Sequence, residues 1–304
     1  MMLALAVLSL AIWIYLLAFR GRFWLARERD GDAPVAERAH WPSVAAIVPA
    51  RDEAQTIARA VGALLAQDYK GEFRVYLVDD QSSDGTAEIA RALDTKGRLT
   101  IVSGAVPPAG WTGKLWALKQ GVTKANEARP DYFWFTDADI LHAPDNLERL
   151  VARAEDGGQV LVSLMAKLNC ESVAEKLLIP AFVFFFEMLY PFAWVNDPKN
   201  GTAAAAGGCM LAKREAVERA GGIDSIRREI IDDCALARRM KAQGSIWLGL
   251  TERALSLRAY STLGDIRRMI ARSAYAQLGY SPLLLLGRSE EHTSELQSRL
   301  HLVC

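Results

Sequence analysis

Only four cysteines occur in 304 residues, at Cys170, Cys209, Cys234 and Cys304. None forms a Cys-x-x-Cys pair and no histidine pair lies close by, which excludes a zinc framework and points to a reducing compartment. A surplus of either charge is missing as well, since 36 basic residues face 36 acidic ones. Without a basic surplus, nothing in the composition calls for nucleic acid or another polyanionic partner. Charge is altogether absent from one stretch, Met1 to Phe19 (MMLALAVLSLAIWIYLLAF).

About twenty such residues span a bilayer core as a helix. A cleaved signal peptide would carry a basic residue before the apolar run and a small-x-small site after it. Here the order is reversed: Arg20, Arg22, Arg27 and Arg29 follow the run, and Trp13, Tyr15 and Trp24 sit near its ends. An uncleaved anchor is favoured. The positive-inside rule then sets the N-terminus outside and the remainder in the cytoplasm.

After a linker with Gly31, Pro34 and Pro42, strand-like and helix-like patterns alternate. Val44–Val48 is a buried strand ending at Pro49-Ala50-Arg51-Asp52-Glu53, and a helix follows from about Ala54 to Gln67. Arg74–Val78 is the next strand and runs into Asp79-Asp80-Gln81-Ser82-Ser83-Asp84-Gly85-Thr86. Leu99–Val102 is a third. Such alternation implies βαβ units and a mostly parallel sheet.

The pattern centres on Phe133-Trp134-Phe135-Thr136-Asp137-Ala138-Asp139-Ile140. A strand runs into two carboxylates spaced two apart, and strand alternation would point both the same way at the sheet's C-terminal edge. Two carboxylates there make a hard-oxygen site suited to Mg²⁺ or Mn²⁺ together with substrate phosphate. A strand end turning into a solvated loop is the alternative. Gly113-Lys114 opens a helix where the dipole and backbone amides attract phosphate, although Walker spacing is absent. Ala203–Cys209 is a small-residue run that lets a backbone approach a substrate closely. Asp232-Asp233 lies at a helix start, where capping by Asp232 is the competing explanation.

Two apolar stretches remain. Leu177–Val195 carries Pro180, Glu187 and Pro191, so it reads as a membrane-interface or groove-covering segment rather than a second span. A buried core helix is the alternative. Ile266–Gln277 is basic and amphipathic, Ser281–Leu286 resembles the entry to a membrane segment, and the tail from Arg288 (RSEEHTSELQSRLHLVC) resembles a translated sequencing adapter. The expected organisation is an anchor at 1–20, a juxtamembrane linker at 21–42, a catalytic domain at 43–253, an amphipathic and membrane-entry segment at 254–287, and a non-native tail at 288–304.

Ile47–Glu53, Val78–Thr86, Gly113-Lys114, Asp137-Ala138-Asp139 and Ile231-Asp232-Asp233 occur in the order found in family 2 glycosyltransferases. The resemblance covers about residues 40–275. With its anchor and its apolar C-terminal run, the chain looks most like the hopene-associated glycosyltransferases of bacterial hopanoid gene clusters, and it is similar to ceramide glucosyltransferases. The resemblance implies a GT-A fold, a Rossmann-like mostly parallel sheet, a nucleotide-sugar donor such as a UDP-sugar, and a lipid acceptor at the bacterial inner membrane. It implies that Pro49, Arg51, Glu53, Asp79 and Asp80 hold the base and ribose, with Lys114 near the diphosphate. Asp139 would ligate the metal, Asp137 the ribose or a metal-bound water, and Asp233 would act as general base with Asp232 in support. The family usually has Glu-Asp where this chain has Asp232-Asp233. It also has Gln-x-x-Arg-Trp where this chain has Met269-Ile270-Ala271-Arg272-Ser273, which argues against a processive polysaccharide synthase. A nucleotidyltransferase and a non-catalytic membrane scaffold are the alternative functions, the first leaving Asp232-Asp233 without a role.

Overall fold

The computed structural model describes residues 2–229, 231–260 and 262–277. The Ser281–Leu286 run and the 288–304 tail lie outside them. Two compact units divide the chain at Ala259 and Tyr260. The second contributes helix Leu263–Gln277, whose first turn is held by Asp265, which accepts from the Thr262 hydroxyl at 2.7 Å.

In the first unit, helix α1 (Met2–Ile14) continues through a π-helical turn, Tyr15–Phe19. Among the described residues, Met2–Phe19 is the one helix long and apolar enough to cross a membrane, with a mean hydropathy of 2.5 and none of it buried. Then come β1 (Val44–Ala50), α2 (Ile57–Leu65), β2 (Phe73–Asp79), α3 (Thr86–Arg91), β3 (Leu99–Ser103), α4 (Gly113–Ala125), β4 (Tyr132–Phe135) and β5 (Ile140–His142). They are followed by α5 (Asn146–Gly157), β6 (Leu161–Lys167), α6 (Val173–Leu189), α7 (Phe192–Asn196), β7 (Met210–Lys213), α8 (Arg214–Arg219), α9 (Asp232–Lys241) and β8 (Ile246–Ser256). Strand β8 runs past residue 253, where the sequence suggests that the amphipathic segment starts.

The strands form one sheet in the order β3-β2-β1-β4-β7-β6-β8-β5. The β3-β2-β1-β4 half is wholly parallel, and β7 enters antiparallel between β4 and β6. Strand β1 is buried on both faces because both are covered: Ala45 and Ile47 join one core cluster, Val44, Ala46 and Val48 the other. Two-sided burial explains why its residues read as a continuous apolar run rather than alternating ones. The chain leaves β1 on one side to make β2 and returns on the other to make β4. Ligands bind at such a switch point, outside the carboxyl ends of the strands.

Helix α2 is shorter than the sequence suggests because residues 52–54 are diverted into a loop interlock. Asp52 takes a left-handed φ of 54°. Its N–H donates to Ser82 Oγ at 3.0 Å, and its carboxylate accepts from the Ser83 N–H at 2.8 Å. The Ala54 N–H donates to Asp84 at 2.9 Å. The loops after β1 and β2 therefore form one structure.

Part of the apolar run 177–195 is core, as the buried-helix alternative expects. Helix α6, capped by a reciprocal Ser172–Glu175 box, leaves Val173 and Leu177 exposed at its start. Ile179, Phe186, Phe192 and Val195 are buried, the last three in the core. The run is also broken at Tyr190–Pro191.

Helix α4 lies against β1 and β2 through Gly121, where an added Cβ would come within 2.6 Å of Ile47 Cγ2 and 2.9 Å of Val78 Cγ2. In an open helix, Gly→Ala gains about 1 kcal/mol. Here overpacking reverses the sign, so Gly121→Ala is expected to destabilise by roughly 1–3 kcal/mol. A thermal midpoint that stays level or rises in the variant would refute this close packing.

Candidate active site

The sequence-derived residues gather at the β1/β4 crevice as two adjoining clusters. One pocket is lined by Pro49, Lys114, Asp137, Gly207, Asp232 and Asp233. Lys114 reaches it because Thr112 caps α4, its hydroxyl accepting from the Leu115 N–H at 3.3 Å, which sets Lys114 in the first turn. The Lys114 ammonium lies 2.9 Å from Asp137 Oδ1 and 3.5 Å from Asp232 Oδ2. Burial opposes its charge, but Asp137 and then Asp232 outweigh burial and hold its pKa well above the ordinary lysine value. It is a permanent cation.

Asp233 is fixed from two sides. Its Oδ2 accepts from the Gly207 N–H at 2.9 Å and its Oδ1 from the Cys234 N–H at 2.7 Å. Burial first, and the charge of Asp232 second, push its carboxyl up to about 6, against the opposing pull of Lys114. A carboxylate with that value is suited to accept a proton near neutral pH. The run 203–209 brings its backbone to this carboxylate, since a Cβ on Gly207 would sit 3.4 Å from Asp233 Oδ2 and 3.6 Å from Lys114 Nζ. Asp232 does not cap α9. The N-cap position is Ile231 and makes no side-chain cap, so both aspartates stand in the first turn, complementing the dipole.

Asp137 and Asp139 require a correction. They do not share one direction by strand alternation, because β4 stops at Phe135. The Thr136 hydroxyl donates to the Gly208 carbonyl at 2.9 Å, and the chain turns there. The two carboxylates consequently meet different cations: Asp137 meets Lys114, whereas Asp139 Oδ2 accepts from Arg258 Nε at 2.8 Å. Arg258 Nη2 also donates to Glu53 Oε1 at 2.8 Å, tying the β1 loop to Asp139. Burial raises the Glu53 carboxyl, partly offset by Thr56 and Arg258. Sequence reasoning missed Arg258; its one signal is a lone arginine just past a strand, which is no pattern at all.

A buried relay supports this turn. His142 Nδ1 accepts from Asn146 Nδ2 at 2.9 Å, and Nε2 lies 2.8 Å from Thr136 Oγ1. With the Thr136 hydroxyl committed to Gly208, His142 Nε2 is the donor and the ring is neutral. Burial agrees, lowering its pKa to about 3. His142 and Asn146 were also missed, since a buried histidine carries no local signature.

Asp80 is buried, with Oδ2 3.6 Å from Arg51 and Oδ1 lacking any partner. An orphaned buried acceptor invites a donor from a ligand. Asp79, by contrast, accepts from the Ser82 N–H at 3.3 Å and so shapes the loop. No group of three or more metal-ligating side chains exists among the described residues. Asp137 and Asp139 each use one oxygen on a cation. Two carboxylates with a spare oxygen each fit the way Mg²⁺ is usually held, by one or two acids plus phosphate and water.

The family model for glycosyl transferase family 2 matches residues 45–221, more than half the chain. The chain belongs to glycosyltransferase family 2. Over 150 residues it is 30% identical to an N-acetylglucosaminyltransferase of Mesorhizobium japonicum, covering 49% of this chain and 33% of that protein. Over 55 residues it is 42% identical to the glycosyltransferase AglE of Haloferax volcanii, covering 18% of each. The matches therefore span a third or less of these curated relatives. Among solved structures, the mannosyltransferase PcManGT from Pyrobaculum calidifontis in complex with GDP-Man and Mn²⁺ superposes with a TM-score of 0.56 at 21% identity, over 89% of this chain and 79% of that one. Mannosyl-3-phosphoglycerate synthase from Rubrobacter xylanophilus gives 0.51 at 18% identity, over 84% and 80%. These likenesses establish the GT-A-like α/β fold.

Because Lys114 holds the Asp233 value down, removing its charge should raise it. In Lys114→Met, a ¹³C-carboxyl titration of Asp233 is expected to move upward. A titration that stays put would break the coupling between helices α4 and α9.

Proposed function

We propose that this family 2 chain is a membrane-bound inverting glycosyltransferase that moves a sugar from a nucleotide-diphosphate sugar to a lipid acceptor. The observation carrying the proposal is Asp233 held by two backbone N–H groups beside the Lys114 cation, at the switch point of the sheet. In this reading Asp80 and Arg51, with Pro49, Glu53 and the Asp79 loop, receive the base and ribose. Lys114 faces the diphosphate from the first turn of α4, where the helix dipole adds to its charge.

The acceptor hydroxyl loses its proton to Asp233 as its oxygen attacks the anomeric carbon. The bond from that carbon to the diphosphate oxygen breaks in line, and the configuration inverts. Asp137 and Asp139 would hold a Mg²⁺ or Mn²⁺ ion, which when bound offsets charge on the departing diphosphate. The Mn²⁺ and GDP-Man of the Pyrobaculum mannosyltransferase make such a site a reasonable analogy. The likeness to hopene-associated enzymes favours a hopanoid-type lipid as acceptor.

Membrane attachment is part of the proposal. Residues 2–19 would cross the bilayer with their basic C-terminal flank in the cytoplasm, where the catalytic unit would lie. Arg20 donates to the Met188 and Leu189 carbonyls at 2.6 and 3.2 Å and stands over the Trp194 ring. Phe23 is buried edge-on against Phe184. The end of the anchor is thus riveted to α6 and α7, whose exposed apolar start would rest on the same membrane face.

Three outcomes test the proposal. Asp139→Asn keeps the shape of the Arg258 contact but loses a carboxylate charge, so titration with UDP and Mn²⁺ should show donor binding lost while the thermal midpoint holds. Unchanged affinity would sink the metal assignment.

Asp233→Asn should bind donor normally and turn over slower by about 10²–10⁴. In the wild-type chain the base form of Asp233 accumulates above its value of about 6. The rate should then climb roughly tenfold per pH unit below that point and level off above it. Near-normal turnover in Asp233→Asn, with Asp232→Asn inactive, would transfer the role to Asp232.

Removing residues 2–19 while keeping Arg20 and Phe23 should leave a folded protein that still floats with liposomes, though more weakly. A truncated chain found wholly in the soluble fraction without detergent would refute the role given to α6.

A further inference from the structure

A second cleft, of about 470 Å³, opens between residues 30–36, helix α5 and strand β6. It is on the far face of the sheet. Its walls Val162, Leu164 and Leu150 belong to the core cluster around Trp134, whereas Phe135, Met210 and Leu236 of the active-site pocket belong to the other. The size falls within the usual range for a small organic ligand.

The charges lining the cleft are paired, with one exception. Asp30 meets Arg253 at 3.1 Å and Asp156 meets Arg38 at 2.5 Å. Arg149 donates to Asp145 and to the carbonyls of Gly31 and Ala33. Arg153 has no ion pair or hydrogen bond among the described residues; burial pulls its pKa down, and the charge of Asp30, held on Arg253, opposes that only in part. What it has is a platform: its guanidinium carbon stands 3.9 Å from the centre of the Trp247 ring. That ring lies flat along the strand over Gly249, where an added Cβ would meet it at 2.1 Å. Glycine at this position is what lets the indole lie down and present its face. A second polar atom is also unsatisfied, since the buried Gln159 Oε1 has no donor. Both residues line the cleft.

We propose that this cleft binds a small hydroxylated organic oxyanion, a carboxylate or phosphate monoester on an apolar body, with Arg153 as its anchor. A guanidinium stacked on one face keeps its N–H fork in the plane, which suits bidentate capture of an oxyanion. A ligand hydroxyl would donate to Gln159 Oε1, and the apolar body would pack on Leu150, Val162 and Leu164. Bound there, the molecule would fasten residues 31–36 to α5, and it would do so independently of the sugar-transfer reaction.

The test uses the full chain in zwitterionic lipid nanodiscs, with para-hydroxybenzoate and phenyl phosphate as probes and benzyl alcohol as the uncharged control. Both anions should bind saturably, unaffected by saturating UDP, and benzyl alcohol should not. Arg153→Ala should weaken them about tenfold or more, the scale of a lost charge-assisted pair. Ala36→Trp, which fills the cleft from an exposed loop, should weaken them as well while leaving the thermal midpoint in place. Equal affinity in either variant, displacement by UDP, no saturable binding, or occupancy only when anionic lipid is added would overturn the proposal.

Discussion

The candidate site depends on one buried-edge cation. Lys114 stands within reach of Asp137 and Asp232 and lowers the pKa of Asp233, three acids that would otherwise repel one another at the mouth of one pocket. The acids come from two places, Asp137 from the turn after β4 and Asp232 and Asp233 from the first turn of α9, and the first turn of α4 joins them. The ammonium therefore aligns three elements, and its environment sets the charge state of the acid beside it. Gly121 extends the same logic, because the close approach of α4 to β1 and β2 fixes the axis that carries Lys114.

Much of the fold could be read from the sequence, for a physical reason. Buried parallel strands are apolar on both faces, so Val44–Val48 and Arg74–Val78 stand out as runs that end in acids. The site residues at those ends follow from the topology of open α/β sheets. What failed was local geometry decided from afar. The shared direction expected of Asp137 and Asp139 depends on a strand that stops early, and it stops where Thr136 meets Gly208, 72 residues away. Arg258 is tied to residues 119 and 205 positions earlier, a distance over which no sequence pattern survives. Helix α2 was shortened by the Ser82–Asp84 loop in the same manner.

The run 177–195 is instructive for a different reason. Composition alone leaves a membrane-facing helix and a core helix indistinguishable. In the structure Leu177 is exposed, while Ile179, Phe186 and Phe192 are buried. The Arg20 contacts make the junction, since they join the end of the apolar N-terminal helix to the point where the run changes character.

The reach of the Arg258 bridge has a temporal meaning. Its partners Glu53 and Asp139 leave the ribosome long before it does, and closing loops that long carries an entropic cost that only the finished sheet repays. Until β8 has been made and paired beside β6, the two carboxylates lack their common counter-charge. The candidate site is thus among the last parts of the unit to mature, after the apolar N-terminal helix has already emerged. A chain interrupted between Asp233 and Arg258 would carry the other motifs of the site and still lack the contact that closes it.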